Sequence, residues 1–194
     1  MRKASVSRKT KETDISVTLA LEGGTPDAVQ VSTGIGFFDH MLTAFAVHAG
    51  FALTLKASGD LLVDCHHTVE DTGIVLGEAL AKALGDKSGI ARYGSFYVPM
   101  DEALSFVSLD ISGRPFLVFD ADFPQARVGE FDTCMTEEFL RAFAFHAGIT
   151  LHARVLYGKN AHHEIEGIFK ALGHALRAAV APQDGTLSTK GALD

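Results

Sequence analysis

The chain has 194 residues, of which 47% are hydrophobic and 21% charged, so it can bury one domain-sized core and is not a disordered chain. A formal net charge of −7 argues against a nucleic-acid or anionic-membrane binder, and no apolar run approaches the roughly 18 residues that span a bilayer. The basic amino end lacks the apolar segment of a signal peptide. Two cysteines, Cys65 and Cys134, provide no disulfide framework, and we therefore expect a cytoplasmic protein.

The sequence contains an internal duplication. Residues 39–50 read DHMLTAFAVHAG and residues 137–148 read EEFLRAFAFHAG, and similar segments follow both copies. Each half is predicted to contain, in chain order, two strands, a helix, a strand and a second helix. The first helices are predicted at 39–49 and 134–147, where an Ala-Gly pair ends each, and the second helices at 67–85 and 163–181.

This order predicts an α+β fold built by duplication of a β-β-α-β-α unit, with helices packed on sheets. We expect residues 1–90 to form the first half and 91–194 the second, fused in one domain, because no linker richer than 85–94 separates them. Residues 183–194 are expected to be a flexible tail.

The second helices open with the same motif, HHxxE, at His66-His67-x-x-Glu70 and at His162-His163-x-x-Glu166. Residues at i and i+4 share one helix face, so the first His and the Glu of each motif can bind one metal ion. The adjacent His points about 100° away and can reach a different ion. A single His pair is usually a solvated helix start, but a duplicated HHxxE in register favours a metal site.

The first helices add His40 in one half and Glu138 at the equivalent place in the other. The eight candidate metal ligands are therefore His40, His66, His67, Glu70, Glu138, His162, His163 and Glu166. Five imidazoles and three carboxylates without thiolates favour Mn(II), Fe(II) or Zn(II) over Ca(II) or Mg(II). Four protein ligands on each of two six-coordinate ions would leave positions open for a substrate.

The remaining histidines and Cys65 are predicted to be structural. His48 and His146 share an AxHAG context and are interpreted as helix-end or packing residues, and His152 and His174 are placed in a strand and a helix. Cys65 adjoins His66, but its repeat partner is Ala161, so it is not included among the ligands.

Several segments resemble the imidazoleglycerol-phosphate dehydratase family of histidine biosynthesis: TGIGFFDHML, DCHHTVED, ISGRP, GKNAHHEIEGIFKA and STKG. The similarity extends from residues 8–13 to the carboxyl tail. It implies a helical layer between two four-stranded sheets and two Mn(II) ions per active site. One ion would take His40, His67, His162 and Glu166, and the other His66, Glu70, Glu138 and His163. The resemblance also implies that different protomers share each site within a 24-subunit shell.

The implied reaction converts D-erythro-imidazole-glycerol phosphate to imidazole-acetol phosphate and water. The carbon that loses a proton has no neighbouring carbonyl, so the imidazole ring is the electron reservoir, and a metal-bound imidazolate would expel the hydroxyl group. The resemblance places an acid/base group at Glu12. It places substrate and phosphate contacts, besides Glu12, at Arg92, Arg114, Lys170, Ser188, Thr189 and Lys190.

Two other functions fit the ligand motifs alone. A dinuclear metallohydrolase would use paired ions to activate water and release phosphate. A non-catalytic metal-storage or structural shell would use the same clusters to join subunits, and it gives no reason for Arg92, Arg114 and the STKG tail to accompany them.

Overall fold

The computed structural model describes residues 2–185. The first half contains β1 (Lys3–Lys9), β2 (Thr13–Ala20), β3 (Val29–Ser32), α1 (Gly36–Ala49), β4 (Ala52–Gly59) and α2 (His66–Leu84). The second contains β5 (Tyr93–Met100), β6 (Ala103–Asp110), β7 (Phe116–Asp120), β8 (Arg127–Val128), β9 (Phe131–Asp132), α3 (Met135–Ala147), β10 (Thr150–Tyr157) and α4 (Ala161–Ala179).

Each half forms one four-stranded sheet, in the orders β1-β2-β4-β3 and β5-β6-β10-β7. In both sheets the first three strands are antiparallel and the last strand pairs parallel to its neighbour. The register repeats as well, since Leu19 pairs with Leu53 and Leu109 pairs with Leu151. The predicted α+β duplication with two four-stranded sheets is confirmed.

Each half has one strand more than the β-β-α-β-α pattern predicted from the sequence. The additional strands, β1 and β5, are edge strands that bury only a few side chains. Such strands show no clear apolar alternation, and β5 also contains Pro99, which an edge strand tolerates because one side of its backbone makes no ladder bonds. The short β8–β9 hairpin also lies outside the predicted pattern.

The four helices of residues 2–185 lie between the sheets, and each helix pair joins the two halves: α1 packs against α4, and α2 against α3. Two equivalent glycines allow this close approach. A Cβ at Gly173 would lie 2.6 Å from the carbonyl oxygen of Phe45, and one at Gly77 would lie 2.6 Å from that of Phe143. The helix layer therefore reproduces the duplication in its packing as well as in its order.

Buried phenylalanines fill the space where the helices meet. Phe139 of α3 stacks on Phe169 of α4 with ring centroids 5.2 Å apart, and Phe45 of α1 meets Phe143 of α3 at 6.1 Å. Each fully buried ring contributes about 1.5–3 kcal/mol through removal from water. Within residues 2–185, no helix is both long and apolar enough to cross a membrane.

Candidate metal centre

One group of potential metal ligands forms where α1 meets the start of α4. His40 of α1 and His162 and Glu166 of α4 each offer a ligand atom, and these atoms lie within 4.8 Å of one another. Glu166 Oε2 is 3.2 Å from His162 Nε2 and 3.5 Å from His40 Nε2. Among residues 2–185, no other three His, Cys, Asp or Glu side chains gather in this way.

Local hydrogen bonds fix the start of α4. The Asn160 side chain caps the helix by accepting from the backbone N–H of His162 at 3.0 Å, and Gln125 Oε1 accepts from that of Ala161 at 2.6 Å. The start of α1 is held by Asp39, whose carboxylate accepts from both the N–H and the hydroxyl of Thr33. These contacts set where each helix presents its imidazole.

Glu166 is a buried carboxylate held in its ionised form. Burial by itself raises its pKa, but the hydrogen bond and positive charge of Lys170, with smaller effects of His40 and His162, bring that pKa below its ordinary value. Lys170 Nζ lies 2.7 Å from Oε1, which leaves Oε2 facing the two imidazoles. A deprotonated carboxylate beside two imidazoles is a donor set that suits Mn(II), Fe(II) or Zn(II).

The equivalent group in the first half is less complete. His66 Nε2 lies 3.6 Å from Glu70 Oε2 across one turn of α2, as the HHxxE spacing predicts. The predicted third member, Glu138 of α3, does not join them within the 4.8 Å that defines the first group. Within residues 2–185, no hydrogen bond, ion pair or ring contact joins His66, His67 or Glu70 to the group around Glu166.

The second histidine of each motif hydrogen-bonds a carboxylate. His67 Nδ1 lies 3.0 Å from Asp60 Oδ2, and this bond raises the pKa of His67 above its ordinary value. His163 Nδ1 lies 2.8 Å from Glu102 Oε2, which likewise raises the pKa of His163. The sequence pattern does not predict either carboxylate.

Glu12 lies exposed in the turn between β1 and β2, and a network anchored in α2 holds that turn. Its backbone N–H donates to the hydroxyl of Thr10, which is 3.2 Å from the hydroxyl of Thr13. Thr13 in turn donates to the buried Asp71 at 2.5 Å, and Arg8 donates to the same carboxylate oxygen. The turn borders an open cleft of about 300 Å³ shared with Asp60.

The predicted phosphate contacts are dispersed among the described residues. Arg92 is buried and binds the Asp110 carboxylate through Nε at 2.7 Å and Nη2 at 3.1 Å, while Arg114 approaches the same carboxylate at 3.5 Å. Lys170 lies beside Glu166 instead. Ser188, Thr189 and Lys190 lie outside the described residues.

The four remaining histidines lie outside the ligand groups. His48 Nδ1 is 2.9 Å from His174 Nε2 at the α1–α4 contact, and burial lowers the pKa of both rings. His146 Nδ1 bonds the carbonyl of Ala142 one turn back in α3, and His152 lies exposed on β10. Cys65 is buried at the start of α2, and burial raises the pKa of its thiol.

The comparisons with known proteins agree with one another. The sequence model of the imidazoleglycerol-phosphate dehydratase family matches residues 33–176. The enzyme of that name from Clostridium botulinum is 60% identical over 193 residues, covering 98% of this chain and 97% of the relative, and the one from Bacillus cereus is 58% identical over the full length of both.

Two crystal structures share the fold. Imidazoleglycerol-phosphate dehydratase from Staphylococcus aureus superposes with a TM-score of 0.83 at 40% identity, covering 93% of this chain and 100% of that one. The Pyrococcus furiosus structure, in complex with (S)-C348, gives 0.85 at 40% identity, covering 97% and 100%. The chain therefore belongs to the imidazoleglycerol-phosphate dehydratase family, the hydro-lyases of histidine biosynthesis.

Proposed function

We propose that this dehydratase converts D-erythro-imidazole-glycerol phosphate to imidazole-acetol phosphate with two Mn(II) ions in each active site. The observation that carries the metal requirement is the group formed by His40, His162 and Glu166, whose ligand atoms lie within 4.8 Å of one another. Two imidazoles and one ionised carboxylate satisfy the ligand preference of a divalent transition ion.

The ligands divide into two sets. One ion takes His40, His162 and Glu166 together with His67, and the other takes His66, Glu70, Glu138 and His163. The contact between His66 and Glu70 supports the second set, since the two side chains point the same way from α2. The separation of the two helix starts within one chain supports sharing, in which another copy supplies the missing ligands.

Sharing of ligands implies an oligomer, which we propose to be the 24-subunit shell of the family. Exposed apolar side chains on the described surface are consistent with contacts between copies. They include Leu62 and Val63, just before α2, and Leu156 and Tyr157 at the end of β10. The two free cysteines fit a reducing cytoplasm.

The residues of the chain have separate tasks in the proposed reaction. When bound, the ions supply a Lewis acid next to the substrate's imidazole ring, which eases loss of the ring proton. Glu12 transfers a proton at the substrate carbon chain, and its exposed position on the turn leaves the carboxylate accessible. Guanidinium groups of Arg92 and Arg114 are suited to phosphate oxygens, because each offers parallel N–H donors. Lys170 and the tail residues Ser188, Thr189 and Lys190 complete the proposed phosphate site.

The proposal is tested by following the Mn-loaded protein with imidazole-glycerol phosphate by mass spectrometry. Loss of one water with the phosphate retained, abolished by a chelator and restored by Mn(II), is the expected result. Release of free phosphate would identify a hydrolase instead, and turnover that persists after complete metal removal would refute the metal requirement.

The role of Glu12 is tested separately by Glu12→Gln. We expect kcat to fall by about 10²–10⁴-fold, with Mn content unchanged, because an amide cannot transfer the proton. Asp14→Asn, an exposed carboxylate bordering the same cleft, is the matched control and should retain its activity. Equal activity of the two variants would exclude Glu12 as the acid/base group.

A further inference from the structure

Two carboxylates outside the proposed ligand sets contact repeat-equivalent imidazoles in the same way. Asp60 lies 3.0 Å and 3.2 Å from His67 Nδ1 through its two oxygens, and Glu102 Oε2 lies 2.8 Å from His163 Nδ1. In both cases the carboxylate engages Nδ1. Neither hydrogen bond involves Nε2 of the ring, which is the nitrogen farther from the backbone.

The two carboxylates come from different places in the repeat. Asp60 directly follows β4, and the equivalent residue after β10 is Gly158. A Cβ at Gly158 would overlap the buried side chain of Glu164, which would have to move to admit a side chain there. In the second half the carboxylate comes instead from Glu102 in the β5–β6 turn. A carboxylate therefore contacts Nδ1 in both halves from positions that do not correspond in the repeat. This indicates that the imidazole needs the contact and that the duplication alone does not explain it.

Glu102 also occupies the position that corresponds to Glu12. Glu12 directly precedes β2 and Glu102 directly precedes β6. In the first half Asp60 bonds the imidazole, so the turn carboxylate Glu12 remains exposed and available for the reaction. In the second half the turn carboxylate is used to hold His163.

We infer that Asp60 and Glu102 are positioning residues that fix the tautomer and the orientation of His67 and His163 for metal binding. A neutral imidazole carries one N–H and one lone pair. When Nδ1–H donates to a carboxylate, the lone pair resides on Nε2, and the ring becomes a more basic ligand with a fixed direction. The inference rests on the proposed assignment of His67 and His163 as ligands.

The test measures Mn(II) affinity and stoichiometry by electron paramagnetic resonance on the whole oligomer. Glu102→Ala is expected to bind Mn(II) about 10–100-fold more weakly while still reaching full occupancy at saturating metal. Glu102→Gln should recover part of the affinity, because its amide oxygen still accepts from Nδ1–H. Asp60→Asn is expected to behave like Glu102→Gln.

The matched control is Asp101→Asn in the same turn. Asp101 is exposed, and its carboxylate lies 3.9 Å from His163 Nε2, so the variant removes a nearby charge without removing the Nδ1 acceptor. Asparagine also tolerates the positive φ of 50° at this position. Asp101→Asn should bind Mn(II) as the unmodified chain does; an equal loss in Asp101→Asn and Glu102→Ala would attribute the effect to charge alone and overturn the inference.

A third variant separates this inference from the proposed ligand assignment. His163→Ala should lose one of the two ions, and retention of both would refute the ligand set itself. Loss of an ion in His163→Ala together with unchanged affinity in Glu102→Ala would overturn only the positioning role. If Glu102→Ala does not fold, the affinities of Glu102→Gln and Asp60→Asn decide, since unchanged binding in both contradicts the inference.

Discussion

Glu166 of α4 directs Oε2 to within 3.5 Å of Nε2 of His40 on α1, so a carboxylate from the second half and an imidazole from the first meet across a helix contact. We expect Glu166→Gln to lose one Mn(II) per chain, because a neutral amide oxygen is a much poorer ligand. Metal content after dialysis measures the loss. Glu164→Gln, which changes another buried carboxylate on the same helical turn, should keep its metal. Full metal content in both variants would contradict the proposal that Glu166 is a metal ligand.

The repeat predicts the contact within each HHxxE motif, whereas the grouping of Glu166 with His40 is implied by the family resemblance. HHxxE occurs twice, and the i, i+4 spacing predicted both the His66–Glu70 and the His162–Glu166 contacts, which the structure contains. The alignment of the first helices then added His40. Periodicity was informative here because it concerns residues on one helix or on two copies of one unit.

Contacts between unrelated positions could not be predicted in this way. Glu102 and His163 are 61 residues apart, and an Asp-Glu pair in a turn has the composition of an ordinary solvated surface. Asp71 follows a proposed ligand, Glu70, yet its partners Arg8 and Thr13 lie on separate strands. Only the three-dimensional arrangement of α2 against β1 and β2 brings these side chains together.

Asp71 is expected to stabilise the fold by anchoring the β1–β2 turn. Its carboxylate accepts hydrogen bonds from the Arg8 guanidinium and from the Thr13 hydroxyl. Asp71→Ala removes the shared acceptor of both hydrogen bonds. We expect a loss of roughly 1.5–3 kcal/mol in the free energy of unfolding, measured with urea on metal-free protein. Lys9→Ala, which breaks an exposed ion pair of 2.6 Å near the same turn, is the control and should leave the free energy of unfolding almost unchanged. An equally small effect of Asp71→Ala would show that its hydrogen bonds do not anchor the β1–β2 turn.

The close helix approach at Gly77 and Gly173 predicts two equivalent destabilising substitutions. Alanine at either position would place its Cβ 2.6 Å from a backbone carbonyl oxygen of the facing helix, which neither helix can avoid without shifting. We expect each change to cost about 1–3 kcal/mol, measured by calorimetry. Gly36→Ala is the control. Gly36 is the first residue of α1, and a Cβ added there would meet open space, so this change should not destabilise the fold. Stable Gly77→Ala and Gly173→Ala variants would mean that the helices pack less closely.

The His48–His174 pair predicts acid sensitivity of the fold. Burial lowers the pKa of His48, with further lowering by His174 and Lys170 and a smaller opposite effect of Glu166; burial and Arg177 lower that of His174. At mildly acidic pH these two histidines therefore bind more protons in the unfolded chain than in the folded chain. The free energy of unfolding falls as the pH drops through the ordinary histidine pKa of about 6.5. In metal-free protein, His48→Gln should reduce the pH slope of the unfolding free energy between neutral and mildly acidic pH. An unchanged slope would show that protonation of His48 does not contribute to the acid sensitivity.

In the proposed oligomer, ligand groups from different copies of the chain complete one metal site. The most direct measurement mixes two inactive variants, Glu166→Gln and His67→Ala, after joint dissociation and reassembly with Mn(II). If two chains share each site, some sites in the mixed oligomer combine the intact Glu166 group of one chain with the intact His67 group of another. For random mixing of equal amounts, the dehydration rate should return to about a quarter of the unmodified rate. Activity that stays at the level of the separate variants, in oligomers shown to contain both chains, would contradict sharing of the metal sites between chains.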